Sequence, residues 1–402
     1  MVNAEKIGYE NLNIDIDFRY IKPEVIDEVE ILKASSLDVE IINVYDHERP
    51  NDHRQMLIDK KVEELENSPN GYNEFRKYSG VSKWAPLTKR AIALHSIYNP
   101  NDQFLGQGID PDIYEKKIFD GKSATDILAE AKGDESSQRI LNAYKSFITA
   151  KNDRGTNKAV GTRDFLTGVI DCRSVRTRAI VAMELAYDHI ENDPSINNKN
   201  DLISASLACG AAGPVYNLVN QLSARGHDFS KVILVDSDPM ALATAICLGR
   251  GQNLENKIDP KLKNLLLDPL TSFIEPNSVD IIDLLGLFEY LPTEYGLELL
   301  RKTKDIVKPG GLILFGNMLD KRPQQKFFSN VVKWPTLQQR RISDVIDMIK
   351  LSGFDLDNLK IRVPSEGVYG VYAIKVPNLV EESKVHFGSV VEELGLSALQ
   401  EY

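Results

Sequence analysis

The sequence predicts a doubly wound α/β domain, in which helices cover both faces of a mainly parallel sheet. From residue 165 onward, short runs that are apolar throughout alternate with longer stretches of helical periodicity. Strands that are apolar on both sides indicate a buried parallel sheet, because each of its faces packs against helices. The ligand of such a sheet binds beyond the carboxyl ends of the strands, near the first one, where the strand order reverses.

Each element follows from its own stretch of sequence. The long helical pattern FLTGVIDCRSVRTRAIVAMELAYDHI begins at Phe165 and precedes the first strand. The predicted strands read DLISASLA, KVILVD, VDIIDLLGLF and GGLILFGNM, followed by NLKIRVP and VYGVYAIKV as a closing antiparallel pair. The helices between them read PVYNLVNQLSARG, PMALATAICLGRG, TEYGLELLRKTKDIV and RISDVIDMIKLSGF. Alternation of this kind is typical of consecutive βαβ units.

The regions on either side of this domain have a different composition. Residues 1–164 are polar and rich in helix formers, without an evident strand repeat. They predict a mainly helical region that supplies a substrate lid, a dimerisation surface or both. Amphipathic helices are expected over 86–98 and 123–131, the second with a capping-box pattern at its start. Residues 378–402 are expected to form an amphipathic helical tail, leaving 165–377 as the central domain.

Composition and charge narrow the class of protein. A chain of 402 residues predicts two or three domains, and its net charge of −11 disfavours a dedicated nucleic-acid binder. Its three cysteines form no CxxC pair, which suits a reducing cytoplasm and disfavours a disulfide framework or a structural zinc. No signal peptide and no apolar run of about 18–20 residues is visible. We therefore expect a cytoplasmic protein without nucleic-acid, membrane or metal partners, and a homodimer remains open.

Small residues crowd the end of the first strand, in SLACGAAG (206–213). Such a turn carries the chain into a helix whose free amides and dipole favour an anion or carboxylate. The second strand ends in Asp236, where a carboxylate can accept hydrogen bonds from both ribose hydroxyls. Together these features indicate an adenosine-type cofactor. The dinucleotide fingerprint G-x-G-x-x-G is absent, because Ala208 stands at the place of its first glycine.

Taken together, these segments resemble the class I S-adenosylmethionine-dependent methyltransferases. SLACGAAG looks like the first motif of that family, LVDSDPMAL like the second and IVKPGGLILFG like the strand-five motif. LLLDPLTSFIEPNSVD is similar to a segment in which an acid, here Asp268, binds the adenine amino group. GLFEYLP is similar to a bacterial subgroup with GLF-[DE]-YL after the fourth strand. The resemblance covers residues 165–377.

The resemblance implies seven strands with an antiparallel last pair, S-adenosylmethionine as cofactor, and direct methyl transfer to a small-molecule acceptor. It implies cofactor contacts from Ser206, Ala208, Cys209, Gly210, Ala211, Gly213, Asp236, Ser237, Asp268, Pro269, Leu285 and Gly286. One position departs from the family pattern, since Ser206 stands where an acid usually holds the methionine amino group. Either Ser206 acts as a neutral acceptor, with a weaker hydrogen bond, or another residue substitutes.

Methyl transfer requires the protein mainly to align a nucleophile, exclude water and remove a proton where needed. Glu289 and Tyr290 follow the fourth of the family's strands, so we expect them at the edge of the transfer site. Glu289 is interpreted as a base or substrate anchor. The alternative makes both residues a wall of the cofactor pocket or a helix cap.

Four further residues are candidates for contact with the substrate. Arg173 and Arg176, just before the first strand, are placed to close over the cofactor carboxylate or an acidic substrate, with a solvated helix face as the alternative. Phe327 and Trp334 lie in 321–341, a link longer than the fold requires, and are interpreted as pocket residues or as plain packing.

Two other classes of function stay open. The first is another enzyme that uses an adenosyl-binding fold, either an aminopropyltransferase or an NAD-dependent dehydrogenase. The second is a cofactor-binding regulator or scaffold without catalytic activity, which the absent motif-one acid keeps in view. The methyl acceptor and its reacting atom also stay open.

Overall fold

The computed structural model describes residues 19–46, 49–79, 124–132, 155–194, 196, 199–332 and 337–377. The predicted helix at 86–98, the start of the predicted helix at Ser123, the tail 378–402 and Trp334 lie outside the described residues. None of the described helices is long and apolar enough to span a membrane.

The centre of the fold is an eight-stranded sheet with the order β1-β7-β8-β6-β5-β2-β3-β4. Its strands are β1 (Asp38–Ile42), β2 (Leu202–Leu207), β3 (Phe229–Asp236), β4 (Ile258–Leu262), β5 (Val279–Leu284), β6 (Val307–Met318), β7 (Leu359–Pro364) and β8 (Tyr369–Lys375). All neighbours are parallel except β8, which runs antiparallel to β6 and β7. The predicted α/β fold and its closing antiparallel pair are therefore confirmed.

Helices cover both faces of the sheet. They are α1 (Pro23–Ala34), α2 (Asp52–Asn67), α3 (Gly71–Ser79), α4 (Ala124–Ala131), α5 (Thr162–Gly168), α6 (Ile170–Asn192), α7 (Gly213–Ser223), α8 (Pro239–Arg250), α9 (Thr293–Lys304) and α10 (Ile342–Leu351). Apolar residues of α4, α6, α7 and α8 form one core with the sheet, and those of α1, α9 and α10 form a second core on the opposite face. The sheet is thus buried on both sides, as its apolar strands require.

The sheet has one strand more than the seven expected. The additional strand, β1, comes from the N-terminal region and pairs in parallel with β7 at the edge of the sheet. Only Val39 and Ile41 of this strand are fully buried, alternating with exposed residues. A period-two pattern over five residues is a weak signal within a region rich in helix formers, so sequence reasoning missed it. The N-terminal region therefore contributes to the main sheet as well as adding helices.

A separate small core lies beyond the carboxyl ends of β1 and β6. Apolar residues of α2, α3 and α5 pack there against a π-helix, Phe327–Val332, from the long link after β6. The Phe327 ring packs edge-on against Phe75 and Phe165, with ring centroids 5.7 Å and 5.9 Å apart. The two additions to the basic α/β fold thus pack against each other at the edge where a ligand is expected.

Candidate functional site

The turn after β2 has an alternating backbone conformation. Ala208, Gly210 and Ala212 have φ angles of 57°, 54° and 59°, in the left-handed region. The amide of Cys209 donates to the carbonyl of Val235 at 3.0 Å, which ties the turn to the end of β3. Left-handed backbone costs a non-glycine residue about 1–2 kcal/mol, so two alanines are held in a conformation that glycine adopts more easily. The small side chains keep this backbone open to a ligand.

This turn leads directly into α7. The helix begins at Gly213 with Pro214 in its first turn, and no side chain caps its N-terminus. Ala212, which sequence reasoning left out of the site, occupies the capping position. The first amides of a helix have no partner within the helix, and together with the dipole they favour a negatively charged group. The predicted turn of small residues leading into a helix is therefore present, and its binding of a carboxylate stays a prediction.

Asp236 braces the turn from the end of β3. The amide of Gly210 donates to its Oδ2 at 2.9 Å, and the amide of Asp238 donates to its Oδ1 at 3.0 Å. A carboxylate has about four lone-pair sites, so each oxygen keeps room for a further hydrogen bond. Burial raises the pKa of Asp236, and the backbone hydrogen bonds oppose that rise. The side chain can hold the turn and accept two hydroxyl groups at once.

Ser206 and Asp283 meet where the strand order of the sheet reverses. β2 lies between β3 and β5, and Ser206 pairs in register with Asp283. The Ser206 hydroxyl donates to Asp283 Oδ1 at 3.0 Å. Burial raises the pKa of Asp283 to about 7, while the Ser206 hydrogen bond and the charge of Arg178 lower it. A second carboxylate thus stands beside the position where the family motif has its acid.

Glu289 is buried within a second polar cluster, in the short turn Phe288–Tyr290 after β5. Arg178 Nη1 and the Tyr369 hydroxyl both donate to Glu289 Oε1, at 3.0 Å and 3.2 Å. The Arg178 guanidinium also lies over the Tyr369 ring, 4.3 Å from its centroid. Glu289 Oε2 is buried and accepts no hydrogen bond from any residue that the structure describes. One carboxylate oxygen is fixed by hydrogen bonds, and the other has no partner among the described residues.

Arg173 and Arg176 are both buried on α6. Arg173 Nη2 lies 3.1 Å from Glu366 Oε1, and Arg176 Nη2 lies 2.6 Å from Asp46 Oδ2. The interpretation as a solvated helix face is therefore wrong for these two residues. Each arginine is paired inside the protein with an acid from a loop at the carboxyl edge of the sheet, Arg173 with Glu366 and Arg176 with Asp46. Contact with a substrate stays a prediction for both.

Phe327 belongs to the small aromatic core described above and is almost fully buried. Its place supports the packing interpretation.

Among the predicted cofactor contacts, Asp268 Oδ2 accepts the amide of Asn264 at 2.9 Å and so shapes the loop after β4. Leu285 is buried, and a Cβ atom at Gly286 would lie 3.5 Å from Arg178 Nη2. These residues follow β4 and β5, at the same edge of the sheet as Asp236.

No protein-family model and no curated protein matches the chain. Solved structures with a similar fold include a possible exported protein from Bordetella parapertussis, at 15% identity and a TM-score of 0.46, covering 67% of this chain and 99% of that one. The S-adenosylmethionine-dependent methyltransferase SibL, in its apo form, has 18% identity and a TM-score of 0.40, over 72% of this chain and 74% of its own. Phosphoethanolamine N-methyltransferase 2 of Haemonchus contortus has 14% identity and a TM-score of 0.36, over 55% and 61%. At these levels of identity, the ligand and the reaction have to be inferred from the site itself.

Proposed function

We propose that the protein is an S-adenosylmethionine-dependent methyltransferase that acts on a small-molecule acceptor. The observation that carries this proposal is the hydrogen bond of 2.9 Å between the Gly210 amide and Asp236. It fixes a turn of small residues against an acid-ended strand, next to the point where the strand order reverses. Doubly wound sheets bind their ligands in that crevice.

The residues present fit the chemical groups of this cofactor. Asp236 would accept the two ribose hydroxyls, since each of its oxygens has a free lone-pair site. Asp268 would accept the adenine amino group, and Leu285 would supply apolar contact. The open amides at the start of α7 would hold the methionine carboxylate. The turn itself, residues 208–213, has no bulky side chain.

When bound, the cofactor supplies an electrophilic methyl group on a sulfonium, so the protein mainly positions the acceptor and handles its proton. Glu289 suits that role, because its Oε2 is buried and unpartnered while Arg178 and Tyr369 hold its Oε1. Such a carboxylate can accept a proton or a hydrogen bond from the acceptor. We assign to Glu289 the role of general base or acceptor anchor.

The charge of the chain favours a small acceptor. Its net charge of −11 disfavours nucleic acid, because affinity for nucleic acid comes mostly from neutralising phosphates. The two additions to the basic α/β fold, the N-terminal helices and the link after β6, pack together at the carboxyl edge of the sheet. They are placed to contribute contacts to the acceptor there.

Calorimetry with S-adenosylmethionine, S-adenosylhomocysteine and NAD tests the cofactor. We expect the two adenosylated amino acids to bind and to raise the melting temperature, because a ligand of the folded state stabilises it. Binding of NAD without binding of S-adenosylmethionine would overturn the assignment. Incubation with labelled S-adenosylmethionine and a metabolite extract, followed by mass spectrometry for methylated products, then tests the reaction. Binding without any product would favour a regulator or scaffold.

A further inference from the structure

Buried charges along α6 are matched in pairs. Side-chain ion pairs join Arg173 to Glu366, Arg176 to Asp46, Arg178 to Glu289, and Arg322, from the link after β6, to Asp171. Every one of these eight side chains is at least nine-tenths buried. A buried charge is costly unless it is paired, so this one-to-one matching is what the interior requires.

Asp283 lacks such a match, as does Asp236 on the other side of the turn, but Asp236 accepts two backbone amides whereas Asp283 accepts a single neutral hydroxyl from the described residues. Its hydrogen-bond partner is the neutral Ser206 hydroxyl, and it has no ion pair with any residue in the described ranges. Arg178 lies close enough to lower the pKa of Asp283, but its ion pair is with Glu289. Burial raises the pKa of the Asp283 carboxyl, as expected for a carboxylate that lacks a counter-charge.

Asp283 also lies beside the end of β2, in register with Ser206 and next to the turn. Ser206 is buried, whereas Asp283 is partly exposed, and its Oδ2 accepts no hydrogen bond from the described residues. Side chains alternate along a strand, so Ser206 and Asp283 point to the face of the sheet that carries α6 and α7. Asp236 and Asp283 stand on either side of the turn. Burial raises the pKa of the Cys209 thiol, and the charges of both carboxylates raise it further.

We infer that Asp283, held in place by Ser206, binds a cationic group of the ligand that sits on the turn after β2. If the proposed function holds, on which this inference rests, that group is the α-ammonium of S-adenosylmethionine. An ammonium ion donates to the open Oδ2 and supplies the counter-charge that the protein omits. A charge-assisted hydrogen bond is about twice as strong as a neutral one, so Asp283 is a better partner than the Ser206 hydroxyl. Ser206 is then a positioning residue.

Three ligands that differ at the amino-acid end or at the sulfur test the inference. S-Adenosylmethionine carries both the ammonium and a sulfonium, whereas 5′-methylthioadenosine has a neutral thioether and neither cation. S-Adenosylhomocysteine has the ammonium and a neutral thioether, so a loss that it shares with S-adenosylmethionine is due to the ammonium. We expect Asp283→Asn to weaken S-adenosylmethionine and S-adenosylhomocysteine about 10- to 100-fold, as for loss of a charged hydrogen-bond partner, and to leave 5′-methylthioadenosine binding within about 3-fold of the parent. Calorimetry on the full-length chain measures all three affinities.

The other outcomes are distinguishable. Equal affinities of parent and Asp283→Asn for S-adenosylmethionine overturn the inference while leaving the proposed function intact. An equal loss for all three ligands also overturns it, because a purely structural role would weaken the whole site. If the parent itself does not bind S-adenosylmethionine, the proposed function fails and the inference with it.

A control and a rescue sharpen the test. Asp280 lies at the other end of β5, where its Oδ2 pairs with Lys308 Nζ at 2.7 Å, so Asp280→Asn should leave all three affinities unchanged wherever the variant is folded. The double variant Ser206→Asp with Asp283→Ser moves the carboxylate to the paired position on β2. We expect it to bind S-adenosylmethionine at least about 5-fold better than Asp283→Asn. A folded double variant that binds 5′-methylthioadenosine normally, yet shows no such gain, contradicts the inference.

Discussion

The Arg178 guanidinium joins α6 to the turn after β5 by donating to Glu289 Oε1 at 3.0 Å, with both side chains buried. The same guanidinium lies over the Tyr369 ring and lowers the pKa of Asp283. Arg178 therefore contacts Glu289, the candidate base, and acts electrostatically on Asp283, the candidate cation-binding residue. Its loss should be felt in stability as well as in function.

Replacing Arg178 with methionine keeps an apolar stem but leaves Glu289 as an uncompensated buried charge. We expect the free energy of unfolding to fall by about 3–5 kcal/mol, measured by urea denaturation. The double variant Arg178→Met with Glu289→Gln removes that charge and should recover at least half of the loss. A single-variant cost below about 1 kcal/mol would show that the pair is solvated, since exposed ion pairs contribute only about 0–1 kcal/mol.

Replacing Glu289 with glutamine tests its chemical role. Glutamine can still interact with Arg178 and Tyr369 through its carbonyl oxygen, but it takes up no proton. We expect the turnover number to fall about 10²- to 10⁴-fold, the usual contribution of general acid–base catalysis, with cofactor affinity unchanged. Single-turnover assays with the identified acceptor measure the chemical step. Parent-like turnover by Glu289→Gln would mean that Glu289 takes no part in proton transfer and only lines the pocket.

Replacing Asp236 with alanine should remove the ribose anchor and one brace of the turn. We expect a loss of about 2–3 kcal/mol in cofactor binding, or roughly 30–150-fold in affinity. Asp259 on the neighbouring β4 provides the control, because it is an acid whose partner is Lys261 and which lies outside the turn. Asp259→Ala should bind as the parent does. A folded Asp236→Ala with parent-like affinity would place the ribose elsewhere.

The sequence indicated Asp236 but not Asp283, for a physical reason. Asp236 ends an apolar strand, and the end of a parallel strand is where a ligand-binding acid is expected. Asp283 lies inside the run VDIIDLL, where the apolar pattern alone identifies a strand and gives no reason to single out one acid. Its significance depends on its register with Ser206, which only the pairing of β2 with β5 reveals.

The ion pairs of α6 could not be predicted from the sequence either. Arg173 pairs with Glu366 from a loop that lies far along the chain, and no local pattern links the two. A charged helical segment is usually solvated. Here, loops at the carboxyl edge of the sheet supply the acids that pair with the buried arginines of α6. The strands β2, β3, β5, β6, β7 and β8 were predicted from periodicity, because each contains an apolar run that can be recognised alone. The two edge strands, β1 and β4, were not predicted, because each has only five residues and β4 has no fully buried one.

The pKa of Asp283 predicts a pH dependence of stability. Its value of about 7 in the folded protein lies above the ordinary value near 3.9 of an unfolded chain, so the folded state holds the proton more tightly. The stabilising contribution of the protonated group is complete below about pH 4 and is lost as the pH rises through about 7. Asp283→Asn should therefore stabilise the ligand-free protein, relative to the parent, by at least about 1 kcal/mol more at pH 8 than at pH 5.

Urea unfolding of parent and variant at the two pH values measures this difference. Comparing the two chains cancels the other titrating groups, including Asp171, whose pKa burial raises to about 6. Saturating S-adenosylmethionine should narrow the difference, since a bound cation favours the carboxylate. A stability difference that does not change between pH 5 and pH 8 would mean that the carboxyl group titrates normally and is well solvated.

Phe327 distinguishes a packing role from a pocket role for the long link after β6. Its ring fills the core between α3 and α5, so Phe327→Ala should create a cavity and cost about 3–5 kcal/mol. Phe327→Leu should cost clearly less, because leucine refills much of that volume. Hydrogen exchange should report the loss as faster exchange in α2, α3 and the π-helix, with S-adenosylmethionine affinity retained. If Phe327→Leu instead keeps parent-like stability and loses more than about 10-fold in turnover, the ring contacts the acceptor, and the packing interpretation is wrong.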